Sequence, residues 1–191
     1  MAMTTHYIDI TLLPDPEFSH AHLQGALVAK LHRALVQLRS DNIGISFPQY
    51  SLRPRTLGTT LRLHGGEAAL QCLMDLPWLQ GMRDHVQCTP QPTLVPEGAV
   101  PCLVQRRQFK TSPDRLRRRR MRRKGESAEQ AAAAIPDSVE RTPDLPYVQL
   151  RSASTGQSFC LFIDQKTAQG SDAREGFNTY GLSLGAVVPL F

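Results

Sequence analysis

Leucine sets the first clear period in this sequence. Between Ser19 and Arg39, Leu23, Leu27, Leu31, Ala34, Leu35 and Leu38 recur at helical spacing, which predicts an amphipathic helix. Before it, HYIDITLL (His6 to Leu13) alternates with a period of two and reads as a strand, stopped by Pro14-Asp15-Pro16. After it, NIGISF (Asn42 to Phe47) reads as a short strand ending at Pro48, and TTLRLH (Thr59 to His64) alternates again. Gly65-Gly66 precede a short helix from Glu67 to Asp75, Pro77-Trp78 turn the chain, and Asp84 to Cys88 reads as a last strand. The order β-α-β-β-α-β predicts an α+β protein whose N-terminal part is ferredoxin-like, four antiparallel strands backed by two helices.

Pro90, Pro92, Pro96 and Pro101 make Thr89 to Pro101 the best linker candidate. It places a domain boundary so that 1–98 form the ferredoxin-like domain and 99–191 a smaller, irregular α/β domain. In the second part a strand is expected from Cys102 to Phe109. A helix follows from Pro113 to about Lys124, with Ser112 as N-cap, Pro113 at its first position and Asp114 in its first turn. A second helix runs from Ser127, which forms a capping box with Gln130, to about Ile135. Further strands are expected near Tyr147–Arg151, Phe159–Ile163 and Val187–Leu190.

Charge is strongly segregated along the chain. The 191 residues carry a formal +5, but 105–124 hold eleven of the 22 Lys and Arg against one acid, Asp114, so that segment is +10 and the remainder −5. A self-repelling cluster of this kind points to a polyanionic partner, with a solvated charge run as the plain alternative. Arg115, Arg118, Arg119 and Arg122 fall at i, i+3, i+4 and i+7, so one face of the 113–124 helix is guanidinium, and only Leu116 and Met121 can be buried. The helix is about 18 Å long, and arginine rather than lysine dominates it, which favours bidentate phosphate or base-edge contacts.

Other classes recede. No apolar run approaches the roughly 20 residues of a membrane span, and MAMTTHYIDIT lacks the basic start and apolar stretch of a secretory signal. A cytoplasmic protein with no membrane partner is expected. Cys72, Cys88, Cys102 and Cys160 are scattered without a CxxC, so neither a zinc site nor a disulfide framework is expected. There is no GxxxxGK[ST] loop, no GxSxG elbow and no carboxylate cluster of the kind two-metal nucleases use.

Among six dispersed histidines, His32 stands out. It lies roughly 130° around the helix from the leucine stripe, on the side of Gly25, Ala29 and Val36, where it can face a cleft or be an ordinary surface histidine. LRSASTGQSFCLFI (Leu150 to Ile163) is rich in hydroxyls, Ser152, Ser154, Thr155 and Ser158. It can donate to phosphate oxygens or simply turn around Gly156.

Several stretches together carry a resemblance. They are YIDITLLPDPEF, KLHRAL (Lys30 to Leu35), IGISFP (Ile43 to Pro48), PWLQGMRDH (Pro77 to His85), SPDRLRRRRMRR (Ser112 to Arg123), LRSASTGQSFCLFI and the terminal YGLSLGAVVPLF. In these the chain resembles, over its full length, the type I-F CRISPR repeat-processing endoribonucleases, which cut the precursor transcript into guide RNAs. The resemblance implies a ferredoxin-like N-terminal domain and an arginine helix lying in the major groove of the repeat's RNA hairpin. That groove is in general too narrow and deep to read, a limit that a short stem open at one end relaxes.

Residue by residue, the resemblance implies His32 as the catalytic histidine, Ser152 as the serine holding the scissile 2′-hydroxyl, and Tyr180 as the tyrosine beside the histidine. It implies Arg106 and Gln108 as readers of base edges at the bottom of the stem, Phe159 as the stacking residue on the terminal pair, and Arg118, Arg119, Arg122 and Arg123 as groove and phosphate contacts. Arg115 on the same face, Lys124 at its end, and Ser154 and Thr155 in the hydroxyl-rich loop complete the expected RNA-binding set. The chain departs from the family pattern with Arg107 in place of an apolar residue, Lys124 in place of a histidine, and an added charge at Arg120.

The implied chemistry is attack by the RNA's own 2′-hydroxyl with His32 as base, giving a 2′,3′-cyclic phosphate and a 5′-hydroxyl, with no metal or cofactor. The implied partners are the repeat hairpin, retained after cutting, and other subunits of a type I-F surveillance complex. Two readings compete: a non-catalytic hairpin-binding module, and a DNA-binding regulator using the arginine helix in a B-form groove.

Overall fold

The computed structural model describes residues 4–108, 113–137, 144–152, 156–168 and 176–191. The fold is α+β, with two antiparallel sheets and a small hairpin. Strand β1 (His6–Leu12) turns Ile8, Ile10 and Leu12 into the core and leaves Asp9 and Thr11 half-buried between them. Helix α1 (His20–Leu38) is capped by Ser19, whose hydroxyl accepts from the His22 N–H, and buries Leu23, Leu27, Leu31 and Leu35 as the sequence period predicts. Then follow β2 (Gly44–Ser46), the hairpin of β3 (Ser51–Leu52) and β4 (Arg55–Thr56), β5 (Thr60–Gly65), α2 (Glu67–Met74), β6 (Val86–Cys88) and β7 (Thr93–Leu94). The first sheet runs β2-β5-β1-β6, with β7 also paired to β1, and each of these pairings is antiparallel.

Strands β8 (Val100–Arg107), β9 (Tyr147–Arg151), β10 (Ser158–Thr167) and β11 (Val188–Leu190) form a second antiparallel sheet in the order β11-β8-β10-β9. Helix α3 (Pro113–Lys124) and helix α4 (Ala128–Ala134) lie between β8 and β9 in the chain. The expected capping box is formed, with the Ser127 hydroxyl accepting from Gln130 N–H and the Gln130 side chain accepting from Ser127 N–H. The expected N-cap of α3, Ser112, lies outside the described residues.

Packing divides the chain into two compact units, Met1–Arg107 with Leu145–Phe191, and Gln108–Asp144. Within the first, the two sheets share one core, and polar ties bridge them. The Gln165 side-chain amide accepts from Phe47 N–H and donates to Phe47 C=O, both at 2.9 Å, and the Tyr50 hydroxyl donates to Ile163 C=O at 3.2 Å. The proline-rich stretch runs back along β1. Thr89 N–H donates to Asp9 C=O, Val95 N–H to Thr5 C=O, and Thr93–Leu94 pair with Tyr7 and His6. Among the described residues no helix is long and apolar enough to cross a membrane.

His64 on β5 is fully buried, with Nε2 2.8 Å from Ser46 Oγ and no partner for Nδ1 among the described residues. Burial, with Arg62 adding to it, pushes the ring's pKa from 6.5 down to about 3. Between those values the unfolded chain holds a proton that the native one lacks, so stability falls as pH falls through that window. Urea unfolding at pH 7 and pH 5 should differ by about 2 kcal/mol through this ring, at ~1.4 kcal/mol per pH unit. The difference should shrink in His64→Gln; an equal pH response in that variant would mean that another group titrates.

Candidate functional site

The site is built from α1, the second sheet and the turn before β11. Gly25, on the same side of α1 as His32, sits so close to β9 that a Cβ on it would fall 2.6 Å from the Gln149 carbonyl oxygen. His32 is about two turns further along the helix and is half-buried. Its Nδ1 lies 2.8 Å from Thr179 C=O, and its ring stacks on Tyr180 with centroids 3.9 Å apart and planes within 3° of parallel. A carbonyl oxygen only accepts, so Nδ1 carries the hydrogen and Nε2 keeps the lone pair of the neutral ring. An imidazole held in this way has one tautomer, one orientation and one nitrogen left for chemistry.

The turn that holds the ring is itself held. Asn178 Oδ1 accepts from Tyr180 N–H at 2.8 Å and from Leu182 N–H at 3.1 Å, an Asx-type turn. Gly181 has φ +74°, its C=O accepts from Ile45 N–H of β2, and a Cβ there would meet Ile45 Cγ2 at 2.7 Å. Beyond it the Ser183 N–H donates to Val104 C=O, and the Ser183 hydroxyl accepts from Val104 N–H. The turn therefore bonds to both sheets.

Ser152 follows directly on β9 and is half-buried. Its N–H donates to Gln157 C=O and its C=O accepts from Gly156 N–H, which closes the β9–β10 hairpin. No hydrogen bond joins it to His32 among the described residues, and the expected phosphate donors Ser154 and Thr155 lie outside them. Phe159 on β10 packs against the core with part of its ring accessible, and the Arg106 guanidinium stands 5.8 Å from its centroid. The cation–aromatic pair thus joins two residues that the sequence singled out separately. Arg107, one of the departures, is tied to Asp164 of β10 at 2.7 Å, so its charge serves the sheet. Gln108 is exposed just beyond β8.

In the second unit the arginines of α3 divide by face. Arg115, Arg118, Arg119, Arg122 and Arg123 line one continuous concave surface. Arg117 instead donates to Ile135 C=O at 2.9 Å and to Asp137 at 2.8 Å, and Arg120, another departure, grips Glu126 through two nitrogens. The Arg120 hydrogen bond holds the Glu126 carboxyl below its usual range. Arg119, Arg122 and Arg123 have no carboxylate partner among the described residues, and Lys124 is exposed at the helix end. Sequence reasoning found the guanidinium face but missed Asp137 and Glu126, the acids that separate structural from available arginines. It also missed Asn178, for which the N-x-x-G spacing before Leu182 was the one available signal. The described residues bring no three His, Cys, Asp or Glu side chains together as a metal site.

Comparison with known proteins gives a consistent picture. Residues 7–191 match the family model of the CRISPR-associated protein Cas_Csy4. The chain is 48% identical, over 97% of its length and 99% of the relative, to the CRISPR-associated endonuclease Cas6/Csy4 of Pseudomonas aeruginosa (strain UCBPP-PA14). It is 41% identical, with the same coverage, to the CRISPR-associated endonuclease Cas6/Csy4 of Escherichia coli (strain UTI89 / UPEC). A solved RAMP protein binding different RNA substrates aligns over 97% of this chain at 14% identity, with a TM-score of 0.32, too distant a likeness to bear on the site.

Replacing Gly181 by alanine should lower stability by roughly 2–4 kcal/mol, the sum of a left-handed non-glycine residue and a clash with buried Ile45. Chemical denaturation of the variant checks this. A loss under about 0.5 kcal/mol, the scale of a neutral surface change, would mean that the turn re-forms without its bond to β2.

Proposed function

We propose that this chain, which belongs to the Cas_Csy4 family of CRISPR-associated proteins, is an endoribonuclease that binds the CRISPR repeat hairpin and cuts pre-crRNA at the 3′ base of the stem. The observation that supports the reading is the His32 ring, pinned at Nδ1 by Thr179 C=O and held flat on Tyr180, with no partner for Nε2 among the described residues. RNA supplies its own nucleophile, the 2′-hydroxyl, so the protein needs to hold that oxygen in line with the phosphorus and take its proton. His32 Nε2 is the base. Ser152, at the mouth of the β9–β10 hairpin, holds the 2′-hydroxyl, and neighbouring donors take up the phosphate charge. The products are a 2′,3′-cyclic phosphate and a 5′-hydroxyl, and the chemistry requires no metal.

Binding rests on separate groups. Phe159, with Arg106 over its ring, stacks on the terminal pair while Arg106 and Gln108 read base edges there. Arg115, Arg118, Arg119, Arg122 and Arg123 take the stem's groove and phosphates. Cutting just 3′ of the stem removes none of these contacts, so the product stays bound and the protein caps the guide RNA, in company with other subunits of a type I-F surveillance complex. The strand order β2-β5-β1-β6 with its two helices supports a ferredoxin-like domain over 1–98, and 99–191 then form the RNA-binding domain.

A repeat hairpin with a single 2′-deoxy substitution at the scissile nucleotide should bind nearly as well as the all-ribose RNA and resist cleavage. His32→Ala should cut roughly 10²-fold more slowly with little change in affinity. Cleavage of the deoxy hairpin at a normal rate in a gel assay sinks the mechanism. Hairpin binding with no cutting of the all-ribose RNA by the native chain leaves a non-catalytic hairpin-binding module.

The two faces of α3 should separate in a salt titration. Arg119→Ala and Arg122→Ala should each reduce the slope of log affinity against log salt by about 0.9, taking the duplex value for one phosphate contact. Arg117→Ala, whose partners are Ile135 C=O and Asp137, should leave the slope almost unchanged. Equal slopes in all three variants would mean that the concave face is solvated rather than engaged.

A further inference from the structure

A cleft of about 470 Å³ opens in the first unit between the first turns of α1, the end of the β3–β4 hairpin and the start of β9. Of its lining residues only Gln149, whose carbonyl meets Gly25, belongs to the framework of the site described above, and none is a group proposed for catalysis or hairpin binding. Its lining includes Gln24, which is only 5% exposed, and neither Nε2 nor Oε1 of that side chain has a hydrogen-bond partner among the described residues. An unpaired buried amide is costly, and a ligand that bonds it relieves that cost. Above it the Tyr147 ring is 50% exposed and is steadied from behind by Phe162, with centroids 5.4 Å apart. Arg55 and His20 stand on the rim.

These groups match one chemistry. A side-chain amide offers a donor and an acceptor side by side, which is what the edge of a nucleobase requires. An aromatic ring with an open face is a platform for an unstacked base. We propose that the cleft holds one unpaired nucleotide of the RNA, its base on Tyr147 and its edge on Gln24, a side-chain rotation bringing the amide to the cleft surface. This rests on the endoribonuclease reading and extends it. Tyr147 begins β9 and Ser152 follows its end, about 16 Å away at 3.3 Å per residue, so the nucleotide lies in the single strand flanking the stem, a few nucleotides from the scissile one. The cleft would thus let the protein sense sequence or length outside the hairpin.

The test uses the full chain and a repeat hairpin blocked by 2′-deoxy at the scissile nucleotide, with about five unpaired nucleotides on each side. Abasic residues are placed at these positions one at a time, and affinity is measured for each. One position should lose at least fivefold, the low end for a stacked base. Tyr147→Ala, at an exposed position expected to fold, and Gln24→Met should each remove that sensitivity while binding a flankless hairpin within twofold of the native chain. Equal affinity at every abasic position, or full sensitivity surviving Tyr147→Ala, overturns the proposal and leaves the cleft to a peptide amide or to water. Failure of the native chain to bind even the flankless hairpin is a distinct result, which removes the endoribonuclease reading and this inference with it.

Discussion

A single close approach between backbones governs the geometry of the first unit. Gly25 lets α1 come against the Gln149 carbonyl at a distance that no side chain would permit. Strand β9 is the edge of the second sheet, and an uncovered edge leaves unpaired backbone groups open to other chains. The helix covers it, and the same helix carries His32 while the strand leads into Ser152. Phe159 lies next door on β10, opposite Leu150. The spacing of the groups proposed for catalysis and stacking is therefore set by an approach that only glycine allows, reinforced by the Gln165 amide across Phe47 and the Tyr50 hydroxyl on Ile163.

The arginine helix solves a different problem. Guanidinium groups three and four residues apart repel one another, and α3 has little apolar surface with which to offset that. Two of its arginines are spent on the fold: Arg117 ties α3 to the end of α4, and Arg120 closes on Glu126 in the connection between the helices. Ala131 is fully buried, and the small residues of α4 allow close packing in this unit. The remaining like charges gather on one face, where a bound polyanion would relieve their repulsion.

Much of this was legible in the sequence, for identifiable reasons. The leucine period of α1, the alternation of β1 and β5, and the Ser127–Gln130 capping box are local signals, and each formed the element it predicts. The arginine face was legible because helical spacing alone determines it. Long-range pairings were not. Nothing near Arg107 announces Asp164, and nothing near His32 announces a carbonyl at Thr179, 147 residues away. The hairpin at 51–56 was missed because two-residue strands leave no periodicity to detect. Gln24 lies on a leucine-rich helix, where spacing cannot show that its amide is buried and has no partner among the described residues.

The bond from His32 Nδ1 to Thr179 has one further consequence. In an in-line displacement the entering 2′-oxygen and the departing 5′-oxygen lie on opposite sides of phosphorus. An imidazole with both nitrogens open can relay a proton from one side to the other. A ring whose Nδ1 is occupied by a carbonyl has a single port, Nε2, and the proton it takes up must leave by the same port. In the proposed reaction the departing oxygen therefore takes its proton from elsewhere, from solvent or from a second side chain. Base and general acid are then separate groups, and the pinned ring accounts for only the first.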